Sequence, residues 1–193
     1  MTIAAPLLYL VAIALFIIGL HFLNSPATAR RGNILAMVGM GIALIVVLVQ
    51  TGGVAWWAIA IGIVLGAAIG IVAARRVKMT AMPQMVALYN GAGGGAAALI
   101  GVVEYMVFLR SGGASLDPVV SVSLVLSMII GAVSFAGSII AFLKLQEVMT
   151  GRPVTYPGQQ VVNAIIALGI IALGVWFIAS GGTLAVWGFF LLL

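Results

Sequence analysis

"MTAMPQMVALYNGAGGGAAALIGVVEY", residues Met79 to Tyr105, reads as one long apolar helix that nevertheless carries an asparagine, a glycine cluster and a glutamate. A water-soluble core avoids burying that combination, and a passive membrane anchor has no use for it. At a rise of about 1.5 Å per residue, about 20 apolar residues cross the roughly 30 Å of bilayer hydrocarbon, so this stretch is long enough to span a membrane.

The rest of the chain agrees. Of its 193 residues, 65% are hydrophobic and only 6% are charged, with a mean hydropathy of +1.37. Soluble domains carry about 25% charged residues. At 6% there are too few to cover a globular surface, so the lipid bilayer is the solvent. Eight Lys/Arg against three Asp/Glu give +5, but the basic residues lie in short loops between apolar runs. Nucleic-acid binding needs a contiguous basic face, which this pattern excludes. Cysteine is absent, which excludes disulfides, thiolate chemistry and Cys-ligated clusters. The opening run "MTIAAPLLYLVAIALFIIGLHFLN" has neither a basic n-region nor an A-x-A-like cleavage site, so it reads as a retained span rather than a signal peptide.

Six complete spans are predicted, over 4–23, 34–51, 54–74, 82–108, 118–143 and 160–180, and a seventh apolar run opens near Leu184 and stops at Leu193. Ten residues reach only about 15 Å, half a bilayer, so the run reads either as a re-entrant segment or, the favoured reading, as the start of a helix cut short. The expected fold is an all-α polytopic transmembrane helix bundle, with 1–193 forming one membrane domain. The odd-numbered loops hold Arg30, Arg31, Arg75, Arg76, Lys78, Lys144 and Arg152, and the even-numbered loops hold only Arg110. Basic loops stay cytoplasmic, which places the N-terminus outside.

Small residues mark where helix backbones approach closely. Gly62, Gly66 and Gly70 form a ridge on the third span, and Gly91 and Gly95 do so on the fourth, with Gly93 and Gly94 beside them. "GAGGG" is no phosphate loop, because it lies mid-span, lacks a following Lys-Ser/Thr and succeeds no strand. Asn90 lies about 12 Å into the membrane from the basic end of its helix. An amide there serves either as interhelical glue or as a hydrogen-bonding station on an ion or proton route. On the fifth span Ser127, Gly131, Ser134 and Ser138 fall on one face at helical spacing, and Gly137 adjoins them. Ser138 is about 9 Å deep, close to the depth of Asn90. Glu104 follows Asn90 by fourteen residues, within about 40° of the same face and about 21 Å further along. It reads either as a pathway acid or as an interfacial charge paired with Arg110.

His21 is the only imidazole and has no acid nearby, so no metal site is expected. No nucleophile–base–acid set or nucleotide fingerprint is present. These 193 residues alone are expected to bind no cofactor and to catalyse no covalent chemistry.

Three stretches carry a family resemblance. "RRGN" after the first span, "MTAMPQMVALYNGAGGGAAALIG" on the fourth and "GAVSFAGSIIAFLKL" on the fifth resemble the start of the membrane domain in the beta (NADP-binding) subunit of proton-translocating NAD(P) transhydrogenases. The family pattern opens M-P-x-x-V-A and closes on histidine or asparagine, here Met82 to Asn90. The resemblance implies a membrane domain that conducts protons while hydride passes between NAD(H) and NADP(H) in separate soluble domains. It also implies an alpha subunit with membrane helices and an NAD-binding domain, a homodimer of the assembly, and the bacterial cytoplasmic (inner) membrane. Asn90 falls where some members have a histidine implicated in proton passage, and Ser138 falls on the family's polar serine. Ser134, Ser127 and Glu104 join them as candidates on the pathway. Asparagine does not titrate, so a protonatable group has to come from elsewhere, a membrane helix of the partner subunit among the sources. Further helices and the NADP-binding domain would follow Leu193 in such a subunit. A small secondary transporter or channel, or a structural membrane anchor, are the other classes that these Gly-rich, polar-interrupted helices fit.

Overall fold

The computed structural model describes residues 4–50, 56–112, 116–153 and 155–180. Among them the chain is all-α, with α1 Ala4–Phe22, α2 Ala29–Gln50, α3 Trp56–Arg76, α4 Met82–Arg110, α5 Pro118–Leu145 and α6 Gln159–Ala179. All six are long and apolar enough to cross a membrane. The run from Leu184 lies outside the described residues.

Some ends differ from the hydropathy reading. α2 starts five residues earlier and takes in Arg30 and Arg31, while α3 continues through Arg75 and Arg76. Arginines reach the interface along their apolar stems, so the helix outlasts the apolar run. The Thr28 hydroxyl fixes the α1–α2 turn by donating to the Phe22 carbonyl at 2.7 Å. Asp117 caps α5. Its carboxylate accepts from the Val119 amide at 2.8 Å and Pro118 fills the first helical turn, the usual division of labour at a helix start. At the other end of α5 Glu147 adopts φ 60°, and its amide and that of Val148 bond back to the Lys144 and Leu143 carbonyls at 3.1 Å each. This is a Schellman closure with glutamate in the place glycine usually takes.

The contacts divide the chain between Arg75 and Arg76 into two compact units. In the first, α1 and α2 run antiparallel with their backbones in close approach. A Cβ added to Gly19 would lie 2.9 Å from the Gly32 carbonyl oxygen, and one on Gly39 would lie 3.0 Å from that of Ala12. Ala12 and Gly19 on α1, and Gly32, Gly39 and Val46 on α2, are the buried positions. They recur every seven residues, the period of a left-handed supercoiled pair. α3 buries none of its residues among those described.

In the second unit α4 and α5 form the same kind of pair. Gly91 lies opposite Ser138, and Ala98 opposite Gly131; each step of seven along α4 meets a step of seven back along α5. Towards the Arg110 end the seam fills with side chains. Tyr105, Val125, Met128 and Phe177 form a buried cluster, with the Tyr105 and Phe177 rings edge-to-face at 5.2 Å. Gly174 lets α6 approach α5, since a Cβ there would come 3.0 Å from Val125 Cγ1.

Candidate functional site

Towards its basic end the α4–α5 seam changes from apolar to polar. Asn90 donates from Nδ2 to Ser138 Oγ at 2.8 Å and reaches Ser134 Oγ at 3.4 Å. Ser138 is buried, 7% exposed, whereas Asn90 sits at the rim of the seam. A serine in a membrane helix tends to bond the carbonyl four residues back, as Ser123 does to Val119 at 2.8 Å. Ser134 and Ser138 instead turn across to the asparagine of the neighbouring helix. Each hydroxyl accepts from the amide and keeps its own O–H to donate.

Glycines make this approach possible. A Cβ on Gly91 would stand 3.1 Å from Ser138 Cβ, and one on Gly94 would meet Ser134 Cβ at 2.8 Å and the Gly131 oxygen at 2.9 Å. A Cβ on Gly131 would strike the Ala98 amide nitrogen at 2.6 Å. Gly95 packs on the Phe135 ring. Other glycines from the sequence reading stand elsewhere. A Cβ on Gly62, Gly66, Gly70 or Gly137 meets no described atom within 4 Å. The four-residue spacing picked out Gly91 and Gly95, whereas the contacts follow a seven-residue repeat that also recruits Gly101.

Ser127 lies further along α5, where its hydroxyl donates to the Ala97 carbonyl of α4 at 2.9 Å and not within its own helix. Glu104 is exposed and opens onto a groove of about 330 Å³ shared with Ser123 and Ser127. It is therefore not joined to Asn90, although both belong to the α4–α5 pair. Among the described residues no group of three or more His, Cys, Asp or Glu side chains could hold a metal.

Gln84 was missed in the sequence reading. Its Nε2 donates to the Leu145 carbonyl at 3.0 Å, supplying one of the carbonyls that a helix C-terminus leaves without an intrahelical donor. Its Oε1 is buried and takes no hydrogen bond from the described residues. The signal was present in sequence: Gln84 stands one seven-residue step before Gly91 on the packing face.

The described residues thus define a polytopic helical membrane protein whose α4 and α5 are joined by an Asn–Ser–Ser hydrogen-bonded cluster at the rim of their seam. Residues 5–193 match the protein family described as NAD(P) transhydrogenase beta subunit, and the chain belongs to that family. It is 42% identical over 154 residues to the NAD(P) transhydrogenase subunit beta of Rhodospirillum rubrum, a match that covers 78% of this chain and 33% of that protein. A second protein of the same name, from a specified strain of that species, gives the same figures. The chain spans about a third of the length of these curated relatives.

Proposed function

We propose that this chain is part of the proton-conducting membrane domain of a transhydrogenase, and that Asn90, Ser134 and Ser138 line the route near its cytoplasmic end. Proton passage is coupled to hydride transfer between NAD(H) and NADP(H), which bind to soluble domains outside these 193 residues. The partners are an alpha subunit bearing membrane helices and the NAD site, and a second copy of the whole assembly. The membrane is the bacterial cytoplasmic membrane, with the basic loops inside.

The observation that carries this reading is the 2.8 Å bond from Asn90 to Ser138, set in a seam where Ser138 and Ser134 each face a glycine, Gly91 and Gly94. Asparagine does not titrate, so its role is to orient the hydroxyls and any water between them. Ser134 and Ser138, which accept from it, are left able to donate and so to relay. Ser127, bonded to the Ala97 carbonyl, continues the polar face of α5 beyond Gly131.

The test uses the intact enzyme in liposomes. Asn90→Leu removes the amide's bonds to the two hydroxyls and lowers proton-coupled turnover per folded enzyme at least tenfold. Hydride exchange that needs no proton passage falls less, and Asn90→His retains coupling. If Asn90→Leu lowers only the melting temperature while coupled turnover per folded enzyme stays normal, Asn90 is interhelical glue and the route lies elsewhere.

A further inference from the structure

The seam at Asn90 has hydroxyls and an amide but no group that changes protonation. The same helix pair supplies one near its other end. Glu104 stands six residues before Arg110, the last residue of α4, so it lies about 9 Å inside the helix end. It opens onto the groove formed with Val119, Val120, Ser123, Leu124 and Ser127 of α5. At about 330 Å³ the groove has room for several waters, each occupying about 30 Å³ in the liquid. No α5 residue lining it carries a charge. The nearest charges along the chain are Arg110 on α4 itself and Asp117 at the α5 N-cap, whose carboxylate is bonded to the Val119 amide.

A carboxyl within a membrane span pairs, or faces water, because lipid solvates it poorly. Here the two hydroxyl-bearing residues of the groove continue into the serine face of α5. Ser127 is followed by Gly131, Ser134 and Ser138 at steps of four, three and four residues, which keeps them on one side of the helix. Ser127 thus lies on the side of α5 that also carries Ser134 and Ser138, with the close Gly131–Ala98 backbone contact between the Glu104 groove and the Asn90 seam.

Building on the proton-route reading, we infer that Glu104 is the protonatable site at the outer mouth of that route, taking a proton from external water and releasing it towards Ser127. The step forms one O–H bond on the carboxylate and breaks one on a hydronium or water. Onward release breaks that O–H bond and forms one on a water in the groove beside Ser127, and no electrons change hands.

The intact enzyme in liposomes again provides the test, with the ratio of proton-coupled to proton-independent hydride transfer as the readout. Folded enzyme is counted by size-exclusion profile. Glu104→Gln keeps the shape and hydrogen bonding but cannot titrate, and should lower the ratio at least tenfold. Glu104→Asp keeps the titration and should hold the ratio within threefold of wild type. A hydrophobic carbodiimide, which reacts with the protonated acid, should label Glu104, and the label should fall as external pH rises. A Glu104→Gln enzyme within twofold of wild type, or a Glu104→Asp enzyme as poor as Glu104→Gln, overturns the assignment. If Asn90→Leu is defective while Glu104→Gln couples normally, the inner seam stands and Glu104 alone is dismissed. Normal coupling in both variants rejects the route itself.

Discussion

Replacing Gly131 by alanine tests whether α4 and α5 really meet backbone to backbone. The added Cβ would lie 2.6 Å from the Ala98 nitrogen, 2.7 Å from the Gly94 oxygen and 3.0 Å from the Ala98 Cα. All three are backbone atoms of a continuous helix, so none can turn aside as a side chain could. Ordinary contact begins near 3.4 Å, so the helices must separate by about 0.8 Å at this point. Overpacking of that kind costs about 1–3 kcal/mol, offset by up to about 1 kcal/mol from alanine's better helix propensity. Gly137→Ala is the internal control, because nothing described lies within 4 Å of its Cβ and it gains the propensity term alone. Gly131→Ala should therefore melt below wild type in the purified intact enzyme, while Gly137→Ala melts at or above it. Coupled turnover should fall with it, because the Asn90–Ser138 bond of 2.8 Å lies one seven-residue step along the same seam and stretches as the helices part. A Gly131→Ala enzyme that melts at or above Gly137→Ala would refute the close approach, and with it the argument for the glycine–serine seam.

Two further outcomes follow from the ends of the helices. Gln84→Leu removes the donor to the Leu145 carbonyl and should loosen the α5 terminus by about 1 kcal/mol, read as roughly fivefold faster amide exchange over Gln146 to Met149; unchanged exchange would show that the bond contributes nothing. With cysteines placed singly in this cysteine-free chain, an impermeant thiol reagent added outside whole cells should label Ser111→Cys and spare Arg152→Cys, and the opposite result would invert the topology.

Hydropathy made the six spans legible because lipid demands a long apolar run from any helix that crosses it. Their ends were less legible. Arg30, Arg31, Arg75 and Arg76 look like loop in a hydropathy trace, yet they belong to α2 and α3, since a snorkelling side chain lets a helix continue into the interface. The polar residues of the site could be picked out, because an asparagine or a serine stripe stands out against an apolar background. Their partners could not. The spacing of Ser127, Ser134 and Ser138 shows a shared face, but only the three-dimensional arrangement shows Ser127 bonded to the Ala97 carbonyl and Ser134 and Ser138 gathered on Asn90. Gln84 escaped notice because its role depends on where α5 ends, which no local pattern on α4 reports.

The two helix pairs explain why the Met79–Tyr105 stretch mixes asparagine with glycine. Both use a seven-residue repeat of small residues to bring backbones together, but they fill the space differently. In α1–α2 glycine faces glycine, Gly19 against Gly32, and the described seam there holds no hydroxyl or amide bond between its middle turns. In α4–α5 two of the glycines face serines instead, Gly91 against Ser138 and Gly94 against Ser134. Removing a side chain on one helix makes room for a hydroxyl on the other. Asn90, one residue before Gly91, stands just beside that space and takes hold of both hydroxyls. A Gly–Gly seam would bring the helices equally close and carry nothing, whereas a Ser–Ser seam would hold them apart. Glycine opposite serine gives a pair that is closely packed and carries two hydroxyls within reach of Asn90.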